Sequence, residues 1–238
     1  MKLHFGLALA PIISIGTLGS AMAADMPLKA VPPPPPPAPI WTGFYVGGTV
    51  GGGWARSSQT DTFGITTGNY NQSGALAGGT FGYNWQWANV LVLGAEADIS
   101  WSNINGSATL PGLCSAGQGN TCFTNMQWLT TERARVGVIV SNNWLLYGTF
   151  GVAGAGIKTG QLSCATPVAG AIASCGNPTE WSAVGGVGAE VMFAPHWSAK
   201  LEYLYTGFHN RQAYTVFIPV SVKEANVNIV RGGVNWHF

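Results

Sequence analysis

Residues 90–102 read VLVLGAEADISWS, and the alternation within this stretch decides the fold. In a β-strand successive side chains point to opposite faces, so Leu91 and Leu93 share one face whereas Glu96 and Asp98 share the other. A tilted strand of about 9–11 residues can cross a bilayer, and strands of soluble proteins more often have about 5–6 residues. The stretch therefore predicts a membrane strand with one apolar and one polar face.

Seven further segments have this length and alternation. The eight predicted strands are residues 41–56, 73–87, 90–102, 127–140, 144–158, 180–192, 197–208 and 225–238. Short turns and long polar connections alternate between them, which is how antiparallel barrels are arranged in an outer membrane. The prediction is an all-β fold, an eight-stranded antiparallel up-and-down transmembrane β-barrel over residues 41–238. Eight strands enclose an interior that side chains can fill.

The composition excludes several classes of protein. Only 8% of the residues are charged, against about a quarter in an ordinary soluble domain. The hydrophobic fraction of 47% argues against disorder. Ten basic and nine acidic residues give no basic excess for a nucleic-acid partner. Low charge with a large apolar fraction indicates that much of the surface does not face water.

The first 40 residues predict export followed by a spacer. Lys2 precedes an apolar run that ends in the small-residue cleavage pattern of residues 21–23, so residues 1–23 are predicted to be a secretory signal peptide. A retained anchor is the alternative. Residues 24–40 contain the six prolines Pro32–Pro37, which favour polyproline II and cannot join a sheet. This segment is predicted to be a periplasmic spacer.

Strand parity assigns a balanced set of charges to the lumen. The four acidic and four basic residues are Glu96, Asp98, Arg133, Arg135, Glu190, Lys200, Glu202 and Arg231. Because an unpaired charge in a tight interior is costly, this balance predicts an ion-paired network that plugs the barrel. Glu132 does not fit, since parity places it outward, and we expect it near the outer rim.

Aromatic residues cluster at the predicted strand ends and predict interfacial belts. The predicted belt residues are Trp41, Tyr45, Trp85, Trp87, Trp101, Trp128, Trp144, Trp181, Trp197 and Trp236.

Four cysteines fall in two predicted outer loops, and export favours disulfides. They are Cys114, Cys122, Cys164 and Cys175. Three connectivities are open, of which we favour the local pairs Cys114–Cys122 and Cys164–Cys175. Zinc is the alternative, but no histidine lies near either pair. We predict no cofactor.

Four segments resemble a known family: residues 24–48 (ADMPLKAVPPPPPPAPIWTGFYVGG), 82–86 (GYNWQ), 195–205 (PHWSAKLEYLY) and 230–238 (VRGGVNWHF). They are similar to the eight-stranded outer-membrane β-barrel proteins of alphaproteobacteria, the outer-membrane immunogenic proteins, which are related in architecture to the OmpA membrane domain. The resemblance implies an abundant envelope barrel in the bacterial outer membrane. Its expected partners are outer-membrane lipids and lipopolysaccharide, and the barrel is expected to be a monomer.

The C-terminal residues Val234, Trp236 and Phe238 alternate before the chain end and resemble the signal that the barrel assembly machinery reads. The function expected is structural, supporting envelope integrity, with long extracellular loops for contacts. One alternative is a small pore for ions or small solutes. A remote alternative is a barrel enzyme that modifies lipid A, suggested by His196 and Ser198, but their position at a short turn disfavours catalysis and we predict no enzyme activity.

Overall fold

The computed structural model describes residues 41–61, 63–88, 90–109, 121–141, 143–161, 175–176, 178–208, 211–215 and 219–238. The predicted signal peptide and spacer, residues 1–40, lie outside these residues. Strands and turns account for nearly all of the described chain. No helix in these segments is long and apolar enough to cross a membrane.

Ten strands occur in the described segments. They are β1 (Gly43–Asp61), β2 (Tyr70–Trp87), β3 (Leu91–Thr109), β4 (Thr121–Ser141), β5 (Trp144–Gln161), β6 (Cys175–Gly176), β7 (Thr179–Ala194), β8 (Trp197–Thr206), β9 (Arg211–Thr215) and β10 (Pro219–His237). Eight of them form an antiparallel sheet in the order β1-β2-β3-β4-β5-β7-β8-β10, and β1 pairs with β10 to close the barrel. The short strands β6 and β9 pair with β5 and β10. The predicted fold is confirmed.

The predicted strand bounds agree with the structure at the end of the barrel that carries the short turns, here the short-turn end. At the opposite, long-loop end most strands continue further than predicted: β3 reaches Thr109 and β4 already begins at Thr121. Polar residues keep the alternation there and their backbones still pair, whereas the sequence analysis assigned polar composition to loops. Strands of 18–21 residues result for β1–β5.

Two aromatic girdles border the outward face. The short-turn girdle contains Trp85, Trp87, Trp144, Trp197 and Trp236, and the long-loop girdle contains Trp54, Trp101, Trp128 and Trp181. On β1, Phe44 and Trp54 belong to opposite girdles. Because the strands are tilted relative to the barrel axis, these two residues lie about 25 Å apart along that axis, which matches the height of an outer-membrane apolar band.

Two of the predicted belt residues lie elsewhere. Trp41 and Tyr45 are both fully buried and face the lumen, so their assignment to a belt is wrong. Tyr45 follows the strand alternation to the inward face of β1, and Gly82 on the neighbouring strand leaves space for its ring. A Cβ atom on Gly82 would come within 2.4 Å of that ring. Gly188 leaves space for the ring of Tyr147 in the same way, because a Cβ atom on Gly188 would lie 2.5 Å from that ring.

Candidate functional site

The lumen holds a compact network of charged side chains. All eight residues that parity assigns inward are buried, each with at most 4% of its surface exposed. They come from five strands: β3, β4, β7, β8 and β10. They are Glu96, Asp98, Arg133, Arg135, Glu190, Lys200, Glu202 and Arg231. The structure therefore brings the whole predicted set together.

Two arginines and two carboxylates form the part of the network nearer the long-loop end. Arg231 donates from Nη1 and Nη2 to the two oxygens of Asp98 at 2.9 and 2.8 Å, which is the bidentate geometry of a strong pair. The Arg231 Nε also donates to Glu202 at 2.9 Å. Arg133 contacts the same two acids, with 3.0 Å from Nη2 to Asp98 and 3.0 Å from Nη1 to Glu202. Each acid is thus shared by two guanidinium groups.

Glu96 joins this part to the remaining charges. Its carboxylate accepts from Lys200 Nζ at 2.7 Å and from the hydroxyl of Tyr45 at 2.7 Å, and it also pairs with Arg133. Arg135 Nη1 lies 3.6 Å from the same carboxylate. Removing any one of the three arginines, Arg133, Arg135 or Arg231, therefore changes the environment of more than one acid.

Arg135 and Glu190 form the part nearer the short-turn end. Arg135 Nη2 donates to Glu190 at 2.6 Å, and its guanidinium carbon lies 3.8 Å from the centre of the Tyr147 ring, a cation–π arrangement. The other oxygen of Glu190 accepts from Ser198 at 2.5 Å and from Asn235 at 2.7 Å. The polar and aromatic partners of the network, Tyr45, Thr131, Tyr147, Ser198, Asn235 and His237, are missing from the sequence-based set.

Buried apolar side chains form one cluster on each side of the charged network. Towards the long-loop end lies a cluster that includes Ile104, Met126, Leu129 and Leu204. Towards the short-turn end Trp41 packs in a smaller cluster with Val92, Leu145, Tyr147 and Met192. The sequence analysis predicted the charged layer and missed these two apolar layers.

A bulge in β4 explains part of that omission. Met126 and Leu129 both face the lumen although they are an odd number of residues apart. Relative to β5, β4 has one additional residue between Met126 and Trp128, and the register against β3 also shifts there. The parity of β4 therefore reverses at this point. A pattern of strict alternation cannot show such a reversal.

The histidine and serine behind the enzyme alternative do not meet. His196 is exposed at the short-turn end, where it stacks on Trp236, whereas Ser198 is buried in the lumen. Ser198 instead contacts Nε2 of His237 at 2.9 Å, and Glu190 approaches that same nitrogen at 3.6 Å. In a catalytic triad the acid orients the histidine from its other nitrogen. Because Ser198 and Glu190 approach the same nitrogen of His237, these three residues do not have the geometry of a catalytic triad.

Glu132 faces outward as its parity requires, but its expected place near the outer rim is wrong. It lies opposite Ala97 on β3 and Val152 on β5, four residues from Trp128 towards the short-turn end. It therefore lies within the apolar band. No group of three or more His, Cys, Asp or Glu residues that could hold a metal ion occurs among the described residues.

The cysteines are placed only in part. Cys114 and Cys164 and the side chain of Cys175 lie outside the described residues. Cys122 is buried, disulfide-bonded and part of β4, so its assignment to a loop is wrong because β4 begins earlier than predicted. Cys122 pairs with β5 at Gln161 while Cys175 pairs with β5 at Gly160 from the other side. Two strand spacings, about 10 Å, exceed the reach of a disulfide, so Cys114–Cys122 and Cys122–Cys164 remain open for Cys122.

The C-terminal residues occupy one outward row. Val234, Trp236 and Phe238 are 44%, 36% and 70% exposed. Their placement on the strand that closes the barrel is compatible with recognition during assembly, and that role stays a prediction.

Known proteins resemble the chain in sequence and in fold. It is 33% identical over 234 residues to the 31 kDa outer-membrane immunogenic protein of Brucella melitensis biotype 1, a match that covers 92% of this chain and 94% of that protein. It is 29% identical over 171 residues to a 22 kDa outer membrane protein of Rhizobium leguminosarum bv. viciae, covering 72% of this chain and 66% of that protein.

Among solved structures, the outer membrane protein OprG from Pseudomonas aeruginosa matches with a TM-score of 0.51 and 14% identity, covering 84% of this chain and 99% of OprG. At that identity the likeness shows the fold alone. The family model for the outer membrane protein beta-barrel domain matches residues 15–238. The chain therefore belongs to the family of outer membrane β-barrel proteins, with alphaproteobacterial immunogenic proteins among its relatives, and its location is the bacterial outer membrane.

Proposed function

We propose that the protein is a closed structural barrel that supports the integrity of the outer membrane and makes contacts at the cell surface. The observation that carries the proposal is the filled lumen, in which eight buried charges lie between two apolar layers. Eight strands leave an interior just wide enough for side chains. An ion crossing this lumen would have to displace both the paired charges and the apolar clusters.

The long-loop end supports the surface role. Tilted strands of 18–21 residues span about 45–50 Å along the barrel axis, whereas the apolar band is about 25 Å high. The wall beyond the long-loop girdle is polar on its outward face, for example at Asn103 and Asn105. The name of the Brucella relatives, outer-membrane immunogenic protein, fits a barrel whose loops reach the outside of the cell.

Conductance in planar bilayers tests the closed lumen. We expect the refolded wild-type protein to show no steady open level. The double variant Arg133→Ala/Met126→Ala shortens one side chain in each of two layers and should show more frequent openings. The variant Val136→Ala, on the outward face of the same strand, is the matched control and should behave as wild type. A large, steady wild-type conductance would refute the closed barrel and favour the pore alternative.

Labelling of intact cells tests the orientation. An epitope inserted at Gly68, in the connection between β1 and β2 at the long-loop end, should bind antibody on intact cells. The same epitope at Ala88, in the short turn before β3, should bind only after the outer membrane is permeabilised. The reverse pattern would contradict surface contact through the long loops.

A further inference from the structure

An outward groove of about 620 Å³ crosses β10, β1 and β2 beside Trp54 of the long-loop girdle. Apart from this tryptophan, its outward lining is polar: Arg56, Ser73, Asn69, Asn71, Asn226 and Asn228. We call it the rim groove. The groove lies at the boundary between the apolar band and the polar wall beyond the long-loop girdle, and it combines several amides with one guanidinium.

The depth of the rim groove matches the lipid headgroups. Trp54 belongs to a girdle, and such rings mark the boundary between hydrocarbon and headgroups. Arg56 is the next outward residue of β1 beyond Trp54, and its register partner on β2 is Asn71. The polar atoms of the groove therefore lie where outer-leaflet headgroups are found.

A bulge shapes the groove on its β10 side. Trp54 pairs with Asn228, whereas Arg56 pairs with Ala225, so β10 has one additional residue at this point. Bulges re-aim side chains and are frequent next to functional sites. Here Asn226 and Asn228 both line the groove. The hydroxyl of Tyr203 donates to the side-chain oxygen of Asn228 at 2.7 Å and holds this amide in place.

The basic charge at the groove has no partner in the described part of the chain. Arg56 is exposed and forms no ion pair there. Lys223 is also exposed, and its register partner is Ser58, two residues beyond Arg56. Diagonal neighbours of this kind are about 7–8 Å apart in a sheet. Two cations at this spacing can contact one phosphate group together.

We propose that the rim groove binds the phosphorylated sugar headgroup of a glycolipid in the outer leaflet. Arg56 would bind the phosphate, because its planar fork matches phosphate oxygens. The asparagine amides offer both donors and acceptors for sugar hydroxyls. Trp54 offers an apolar ring face beside them. The inference rests on the outer-membrane location and is independent of whether the lumen conducts.

Binding of lipid A to the refolded chain tests the proposal. In native mass spectrometry we expect Arg56→Gln to lower the affinity for lipid A by about tenfold, as expected for a lost charge-assisted contact. Lys158→Gln is the matched control, because Lys158 is a basic residue of β5, on the opposite wall, near Trp128 of the same girdle. It should bind within about twofold of wild type. Heat-modifiable migration in gels verifies that both variants are folded.

Two further ligands identify the occupant. Lipid A without its phosphates should bind wild type about tenfold more weakly, and Arg56→Gln should not weaken that binding further. Glucosamine 1-phosphate in solution should compete poorly. Equal affinity of Arg56→Gln and wild type for lipid A, or equal losses in the Arg56 and Lys158 variants, would overturn the proposal. If glucosamine 1-phosphate competes as strongly as lipid A, the occupant of the rim groove is not a lipid.

Discussion

The pair formed by Arg135 and Glu190 gives the sharpest test of the ion-paired network in the lumen. In Arg135→Met the carboxylate of Glu190 loses its 2.6 Å contact with a guanidinium. The hydroxyl of Ser198 and the amide of Asn235 stay within hydrogen-bond distance, and His237 lies 3.6 Å away. Removing one member of a buried ion pair costs about 3–5 kcal/mol. Because two neutral donors remain, we expect the lower end, about 3 kcal/mol of unfolding free energy.

The double variant separates the charge interaction from the other contacts of Arg135. Arg135→Met also removes the cation–π contact with Tyr147, worth up to about 2 kcal/mol in a dry site. That loss is the same with or without Glu190→Gln, so it cancels in a double-mutant cycle. Glu190→Gln alone should cost less than Arg135→Met, because Arg135 keeps the hydroxyl of Tyr45 at 2.9 Å and the carboxylate of Glu96 at 3.6 Å.

Urea unfolding of the refolded protein, followed by tryptophan fluorescence, measures the four stabilities. We expect a coupling energy of about 2–3 kcal/mol, so that Arg135→Met/Glu190→Gln is more stable than the sum of the single losses predicts. If Arg135→Met alone fails to refold, recovery of folding in the double variant reports the same coupling. Losses that add within about 0.5 kcal/mol would refute the charge pairing.

Three further predictions concern assembly, disulfides and packing. Deleting Phe238 should lower the fraction of heat-modifiable, folded barrel in membranes, and unchanged assembly at low expression would contradict the assembly signal. Peptide mapping without reductant should recover the two local bridges, Cys114–Cys122 and Cys164–Cys175. Free thiols, or a bridge between the two loops, would contradict this expectation. Gly82→Ala should cost about 1–3 kcal/mol in urea unfolding, because its Cβ would lie 2.4 Å from the ring of Tyr45. Gly79→Ala on the outward face, with its nearest atom at 3.8 Å, should be close to neutral, and equal losses in both would contradict the packing argument.

The alternation of side chains is a local property, so the sequence by itself determined which face of each strand is polar between the girdles, where no bulge reverses the parity. It also determined the number of barrel strands, since the turn-rich short connections and the period of two are visible without any long-range contact. For the same reason every charged residue assigned to the lumen could be identified from parity alone. The sequence did not predict where the strands end beyond the long-loop girdle, because polar residues that pair in a sheet cannot be distinguished from loop residues in a single sequence.

Only the closed barrel decided which of these charges meet. Parity gives the face of a residue but not its height, and height depends on the register and stagger that all eight strands adopt together on closure. Asp98 and Arg231 are separated by 133 positions and meet because β1 and β10 close the sheet. The same closure stacked apolar layers above and below the charges, and the bulge beside Trp128 turned Met126 inward. Side chains from distant strands share one narrow lumen, so its contacts are a property of the tertiary structure.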